Sequence, residues 1–329
     1  MTQVNRRLRA WARLTRRMAS VATMSEAEVI ALQARRVPAN AVTRWLFGAV
    51  PPGVEVADRP VPAPAGDIPV RVYRPSGDGA AARPLILYFH GGGFVLGNLD
   101  LGNWICGSVA ARVGAVVVSV DYRLAPVHRF PAAVEDCSAA LDWAAQHAAE
   151  LGATGPIGVM GESAGGNLAA VTCLVARDRG GPRVSHQVLI YPATDMTAVH
   201  RTTAGPSTPF LSDAEIAAYH RLYLGPDGDA AHPWASPLLA DLAGLPPALI
   251  QVAEHDPLRD GGKSYAAALR AAGVPVRLTE YDGMPHGFVN FPGLSSAAHQ
   301  ALAELCAEQA AALAGHGQPG DVDKEGAAG

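Results

Sequence analysis

Ser163 stands at the centre of Gly-Glu-Ser-Ala-Gly (Gly161–Gly165), directly behind the apolar run Ile157–Met160. A serine so placed suits a sharp turn from strand to helix that lifts its oxygen clear of the backbone. The flanking glycines fit, because larger side chains would collide in so tight a turn. Upstream, His-Gly-Gly-Gly-Phe (His90–Phe94) follows another apolar run, Leu85–Phe89. A glycine-rich loop there can aim backbone N–H groups at a developing oxyanion, usually the largest electrostatic contribution to acyl transfer. Either motif alone arises by chance in a chain with 35 glycines. Both together, each behind an apolar run and in this order, point to acyl transfer by an activated serine.

Such a serine needs a base, and the base needs an acid to orient it. With this elbow pattern, acid and then histidine follow the serine along the chain. The histidines after Ser163 are His186, His200, His220, His232, His255, His286, His299 and His316. His286 lies in Asp-Gly-Met-Pro-His-Gly-Phe, a loop expected just after the last strand, where a base can reach back over a sheet. His299 and His316 fall in the closing helix and tail, and His200, His220 and His232 in a mid-chain insertion. His255 adjoins the acid it would have to bridge to the serine. The acid candidates are Glu254, Asp256 and Asp260. Asp256 precedes Pro257, which biases it to an extended backbone and suits a carboxylate leaving a strand. Asp260 is expected to open the next helix, where an acid complements the helix dipole.

These groups need a rigid frame. Leu85–Phe89, Ala115–Val120, Ile157–Met160, Gln187–Tyr191 and Pro247–Ala253 are short apolar runs separated by helical patterns, with Val276–Tyr281 as a last strand. That alternation predicts an α/β fold whose mostly parallel central sheet has helices on both faces. Val54–Pro62 and Ile68–Pro75 read as flanking strands with alternating polarity. Before them, Val4, Leu8, Trp11, Thr15, Met18 and Ala22 form one stripe of an arginine-studded helix. Ser25 and Glu28 are spaced as the capping box of a second helix. Between Tyr191 and Pro247 the strand rhythm stops, and the stretch is too long for a loop. An insertion at about 195–235, with a helix after Ser212, would overhang the C-terminal edge of the sheet, where ligands bind in such folds. The expected layout is N-terminal helices contributing to a cap (1–50), a catalytic domain (51–314) and a structureless tail (315–329).

Hydrophobic content of 49% with 17% charged residues supports a large core, and a net charge of −4 gives no electrostatic case for nucleic acid. Cys106, Cys137, Cys173 and Cys306 are widely spaced and predict free thiols in a reducing compartment. No secretory signal or membrane-spanning run is read in the chain, so a cytoplasmic protein without stable membrane insertion is expected. It is expected to be a monomer or homodimer.

The chain resembles the hormone-sensitive-lipase family of α/β-hydrolases, the bacterial family IV carboxylesterases. The resemblance rests on His90–Phe94, Tyr122–Pro126 followed by Arg129–Ala133, Gly161–Gly165, Asp256–Asp260 and His286–Phe288, in that order. It implies Ser163 as nucleophile, Asp256 as acid and His286 as base. It also implies oxyanion N–H donors from Gly92, Gly93 and Ala164, with Gly91 giving the loop its turn. Glu162 resembles the subgroup with Asp before the serine. Val127 and Gly261 stand where the family usually has Glu. The expected substrate is a small-molecule ester with a short to medium acyl chain, because Asp213, Glu215 and Arg221 among the apolar residues of the insertion suit a helix packed over a closed pocket; the mechanism is expected to pass through an acyl-enzyme with no metal or organic cofactor. A deacetylase, an amide or carbamate hydrolase, and a ligand-binding receptor on the same fold are the alternatives.

Overall fold

The computed structural model describes residues 3–15, 20–36, 38–77, 82–197 and 210–314. The expected tail, His316 and the first part of the insertion, with His200, lie outside the described residues. Among the described residues eight strands form one sheet: β1 (Val54–Val61), β2 (Ile68–Pro75), β3 (Leu85–Phe89), β4 (Val116–Val120), β5 (Ile157–Glu162), β6 (Val184–Ile190), β7 (Ala248–His255) and β8 (Val276–Pro285). Their order is β1-β2-β4-β3-β5-β6-β7-β8. The β1–β2 and β2–β4 pairs are antiparallel, and the pairs from β4 through β8 are parallel.

The helices are α1 (Arg6–Thr15), α2 (Glu26–Gln33), α3 (Ala41–Phe47), α4 (Asn103–Val113), α5 (Ala132–Gln146), α6 (Ala148–Leu151), α7 (Ala164–Arg179), α8 (Asp213–Leu224), α9 (Arg259–Ala271) and α10 (Ser296–Leu313). Every residue of β3 and of β4 is buried, as expected where helices cover both faces. Side chains alternate across the pleat. Leu85, Leu87 and Phe89 join a core with Val134, Leu168 and Leu269 of α5, α7 and α9. Ile86 and Tyr88 join the opposite core with Ile105 of α4 and Leu302 of α10. The edge strand β1 is mostly exposed and alternates only weakly.

Two local expectations meet the structure differently. The capping box at Ser25 is present, with Ser25 and Glu28 each bonded to the other's backbone N–H. The N-terminal stripe does not run on as one helix to Ala22. Ser20 is extended (φ −85°, ψ 139°) and caps a separate 3-10 turn, Val21–Thr23, by accepting from the Ala22 N–H. A hydroxyl able to satisfy a nearby N–H competes with helix continuation at such a position. The same hydroxyl donates to Glu215 of α8 at 3.0 Å and so ties the N-terminal region to the insertion.

Candidate active site

Strand β5 ends at Glu162, helix α7 begins at Ala164, and Ser163 makes the turn between them with φ 55° and ψ −117°. Only glycine tolerates the neighbouring packing. A Cβ on Gly165 would lie 1.9 Å from the Phe89 carbonyl oxygen, and one on Gly161 would lie 2.1 Å from the Gly165 oxygen. Phe94 (φ 63°) and Tyr191 (φ 36°) are, with Ser163, the non-glycine residues at positive φ among the described residues. All three line one cavity of about 220 Å³. Backbone strain concentrated in one place marks a functional site.

The sequence candidates converge there. His286 Nε2 lies 2.9 Å from Ser163 Oγ, and His286 Nδ1 lies 2.7 Å from Asp256 Oδ2. The geometry fixes the donors: Nδ1–H donates to the carboxylate, leaving Nε2 to accept from the serine hydroxyl. β7 extends two residues past the expected apolar run, through Glu254 and His255, so Asp256 leaves directly from its end. Its other oxygen accepts from the Leu258 N–H at 2.8 Å, and the residue is 1% exposed. Asp260 lies in the first turn of α9 beside Arg259, and Glu254 accepts from the Gly283 N–H. His220 lines the same cavity from α8, while His186 is buried in β6, His232 packs on Phe130 and Trp234, and His299 packs on Trp104. His255 is paired with Glu254 at 3.8 Å. Val127 and Gly261 are absent from the cavity lining.

The glycine loop is oriented from behind. The His90 ring donates from Nδ1 to the Gly91 carbonyl at 2.8 Å. A trans peptide points its N–H away from its C=O, so this bond turns the Gly92 N–H the opposite way. The Gly92 carbonyl likewise accepts from Val95 and Leu96, which turns the Gly93 N–H. No acceptor among the described residues takes the N–H of Gly92, Gly93 or Ala164, and all three residues line the cavity. Gly91 departs from expectation. The left-handed turn sits at Gly92 (φ 120°) and Gly93 (φ 64°), and the Gly91 N–H faces Glu162 at 3.4 Å. At Gly91 a Cβ would crowd the Glu162 backbone oxygen at 3.2 Å, a tight contact that favours glycine. Burial lowers the His90 pKa to about 4, which keeps the ring neutral near pH 7.

Glu162 is the residue whose part sequence reasoning missed. It is 1% exposed, and its oxygens accept from Tyr88 (3.0 Å), Tyr191 (2.7 Å) and Asn290 (2.6 Å) besides facing Gly91. Burial, and secondarily the neighbouring Glu162, push both phenols well above their ordinary pKa, so they remain donors. The readable signal was an acid ending an apolar strand, since a buried carboxylate must find donors.

Helix α8 and the segment before it close one side of the cavity through Phe210, Leu211, Ile216 and Tyr219. Tyr223 stacks on Phe94 with ring centroids 3.9 Å apart, and a Cβ on Gly93 would lie 2.4 Å from the Tyr219 ring. Among the described residues no cluster of three or more His, Cys, Asp or Glu could hold a metal ion. No described helix is long and apolar enough to cross a membrane.

Comparison with known proteins supports the fold and gives the family. A family model described as alpha/beta hydrolase fold matches residues 86–290. The carboxylic ester hydrolase LipN of Mycobacterium tuberculosis is 50% identical over 246 residues, a match spanning 72% of this chain and 65% of LipN. Esterase LipI of the same organism is 44% identical over 257 residues, spanning 77% of this chain and 80% of LipI. A hyperthermophilic esterase from the archaeon Pyrobaculum calidifontis superposes with a TM-score of 0.81 at 38% identity, covering 94% of this chain and 99% of that one. The chain therefore belongs to the hormone-sensitive-lipase-like family of carboxylic ester hydrolases with the α/β-hydrolase fold.

Proposed function

We propose that the protein is a serine carboxylesterase acting on short- to medium-chain acyl esters through Ser163, His286 and Asp256. The unbroken hydrogen-bonded line Ser163–His286–Asp256 carries this reading. His286 takes the hydroxyl proton as Ser163 Oγ attacks the ester carbonyl carbon. The carbonyl oxygen becomes an oxyanion that receives hydrogen bonds from the N–H groups of Gly92, Gly93 and Ala164. Collapse of this intermediate breaks the ester C–O bond, and the alcohol departs with the proton from His286. Water then attacks the acyl-serine with His286 again as base, releasing the acid and restoring Ser163. Asp256 holds the imidazole in the tautomer this requires and stabilises its cation.

The volume of about 220 Å³ around Ser163, walled on one side by α8, supports a limited acyl length. Each methylene that fits adds about 0.8 kcal/mol of burial, so preference climbs with chain length and falls once the space is full. A relative named ethyl acetate hydrolase, from Pseudomonas putida, is 37% identical over 242 residues and accords with a short acyl group. The test is kcat/KM across p-nitrophenyl esters from acetate to palmitate. The expected maximum lies at about C2–C8; a maximum at about C14 or beyond, or marked activation on triolein droplets, overturns the acyl-length reading.

A further inference from the structure

Charge is distributed very unevenly along this chain. Residues 1–50 hold nine arginines against two acids, Glu26 and Glu28. That is a balance of +7 in a chain whose net charge is −4, so the remainder carries −11. α1 supplies Arg6, Arg7, Arg9 and Arg13 with no acid, and α3 supplies Arg44. Both helices pack on Phe291: its ring centroid lies 6.5 Å from that of Trp11 on α1 and 5.7 Å from that of Phe47 on α3. The two basic helices are therefore neighbours at one end of the molecule.

Their outer sides are unpartnered. Arg6, Arg7, Arg13 and Arg44 are exposed, and the ion pairs among the described residues include none of them. The same two helices carry Leu14 at 69% exposure, Val42 at 68% and Trp45 at 59%, the three most exposed large apolar residues described. Val42 and Trp45, three apart on α3, share one helix face. A single exposed apolar side chain needs no explanation, but three gathered among unpaired arginines mark a binding face.

We propose that the α1–α3 end docks reversibly on an anionic phospholipid surface. The arginines would meet phosphate groups, while Trp45, Val42 and Leu14 seat at the headgroup boundary. A nucleic acid or an acidic protein offers negative charge alone. A lipid surface offers negative charge with an apolar layer beneath it, which this mixture of arginine, tryptophan and aliphatic side chains matches. The acidic remainder is repelled by the same surface and so orients the chain with this end down. Docking of this kind needs no membrane-spanning helix. Thr43, Arg44 and Phe47 of α3 also line a cavity that shares Leu101, Gly287 and Asn290 with the one at Ser163. Docking therefore brings that side of the site to a surface where apolar esters collect.

The test is co-flotation of the full chain with vesicles of phosphatidylcholine, alone or with about 30 mol% phosphatidylglycerol, at about 0.05 and 0.5 M NaCl. Binding to the anionic vesicles at low salt is expected, at least about tenfold weaker on neutral ones and largely lost at high salt. Each arginine near such a surface strengthens binding about fivefold, or about 1 kcal/mol. Arg6→Gln, Arg7→Gln and Arg13→Gln together should therefore weaken it about 100-fold. Trp45→Ser, which leaves every charge in place, should weaken it about fivefold or more. All four positions are exposed, and circular dichroism with thermal unfolding checks that both variants stay folded. Indifference to phosphatidylglycerol, or flotation undiminished in both folded variants, overturns the proposal. So does a tighter hold on a short DNA duplex, or self-association at low salt without vesicle binding, which assigns the basic end to nucleic acid or to the acidic surface of a second copy. Flotation involves no turnover, so its result is independent of whether esters are cleaved.

Discussion

Asn290 donates to Glu162 across 2.6 Å, joining the segment that follows His286 to the residue that precedes Ser163. With Tyr88, Tyr191 and Gly91 on the same side chain, one buried carboxyl group touches the sheet, the glycine loop, the serine turn and the segment after His286. Errors of about 1 Å between such parts cost orders of magnitude in rate. Glu162 is therefore assigned as a positioning residue.

Glu162→Gln keeps the shape but puts an NH2 donor among donors. A hydrogen bond to a charged group contributes about 1.5–3 kcal/mol, so kcat should fall roughly 10- to 100-fold. KM should stay within about threefold, and the far-UV circular dichroism should be unchanged, because substrate contacts and the fold remain. Steady-state kinetics on p-nitrophenyl butyrate decides it. Lost stability with normal kcat in the folded fraction would assign Glu162 a structural part alone.

The two aspartates near the end of β7 should behave oppositely. Asp256 is buried against His286, whereas Asp260 pairs with Arg259 in the first turn of α9. Asp256→Asn favours the wrong imidazole tautomer and should cost about 10⁴-fold in kcat. Asp260→Asn removes an exposed pair worth little, so activity should stay within about twofold. Equal losses, or a larger one at Asp260, would reassign the acid.

His90 makes stability depend on pH. Its ring titrates at about 4 in the fold because burial disfavours the cation, against about 6.5 for an ordinary histidine. Between those values the unfolded chain binds more protons, so stability falls as pH drops through that window. The loss should reach roughly 3 kcal/mol by pH 4, and His186, also lowered by burial, adds in the same direction. Urea unfolding from pH 7 to 4.5 should show a shallower pH slope for His90→Asn than for the wild type, although the variant is less stable at pH 7. Identical slopes would refute the assignment.

The frame was legible because its signals are local. Each apolar run became a strand, and His286 was separable from seven other histidines by its place after the last strand, although β8 runs on through Asp282–Pro285, which were expected in the loop. Asp256 was separable from Asp260 by the proline after it. What stayed hidden depends on groups far apart in sequence. Glu162 meets Tyr88 at a separation of 74 residues and Asn290 at 128, and no periodicity encodes such pairings. The turn assigned to Gly91 belongs to Gly92 and Gly93, because three adjacent glycines look alike until a neighbour such as Glu162 claims one N–H. The N-terminal stripe misled for a related reason. Spacing shows which residues could share a face, but Ser20 interrupts the helix that would align them.

The central claim is that Ser163 Oγ becomes covalently acylated. An excess of a p-nitrophenyl alkylphosphonate, which traps an activated serine as a stable phosphonyl ester, tests it in one measurement. Intact-mass and peptide mass spectrometry should find one adduct per chain on the peptide containing Ser163, with one equivalent of p-nitrophenol released and hydrolysis abolished. The Ser163→Ala protein should take up none and retain less than about 1 part in 10⁴ of the activity. An adduct on another residue, or hydrolysis persisting in Ser163→Ala, would contradict the account.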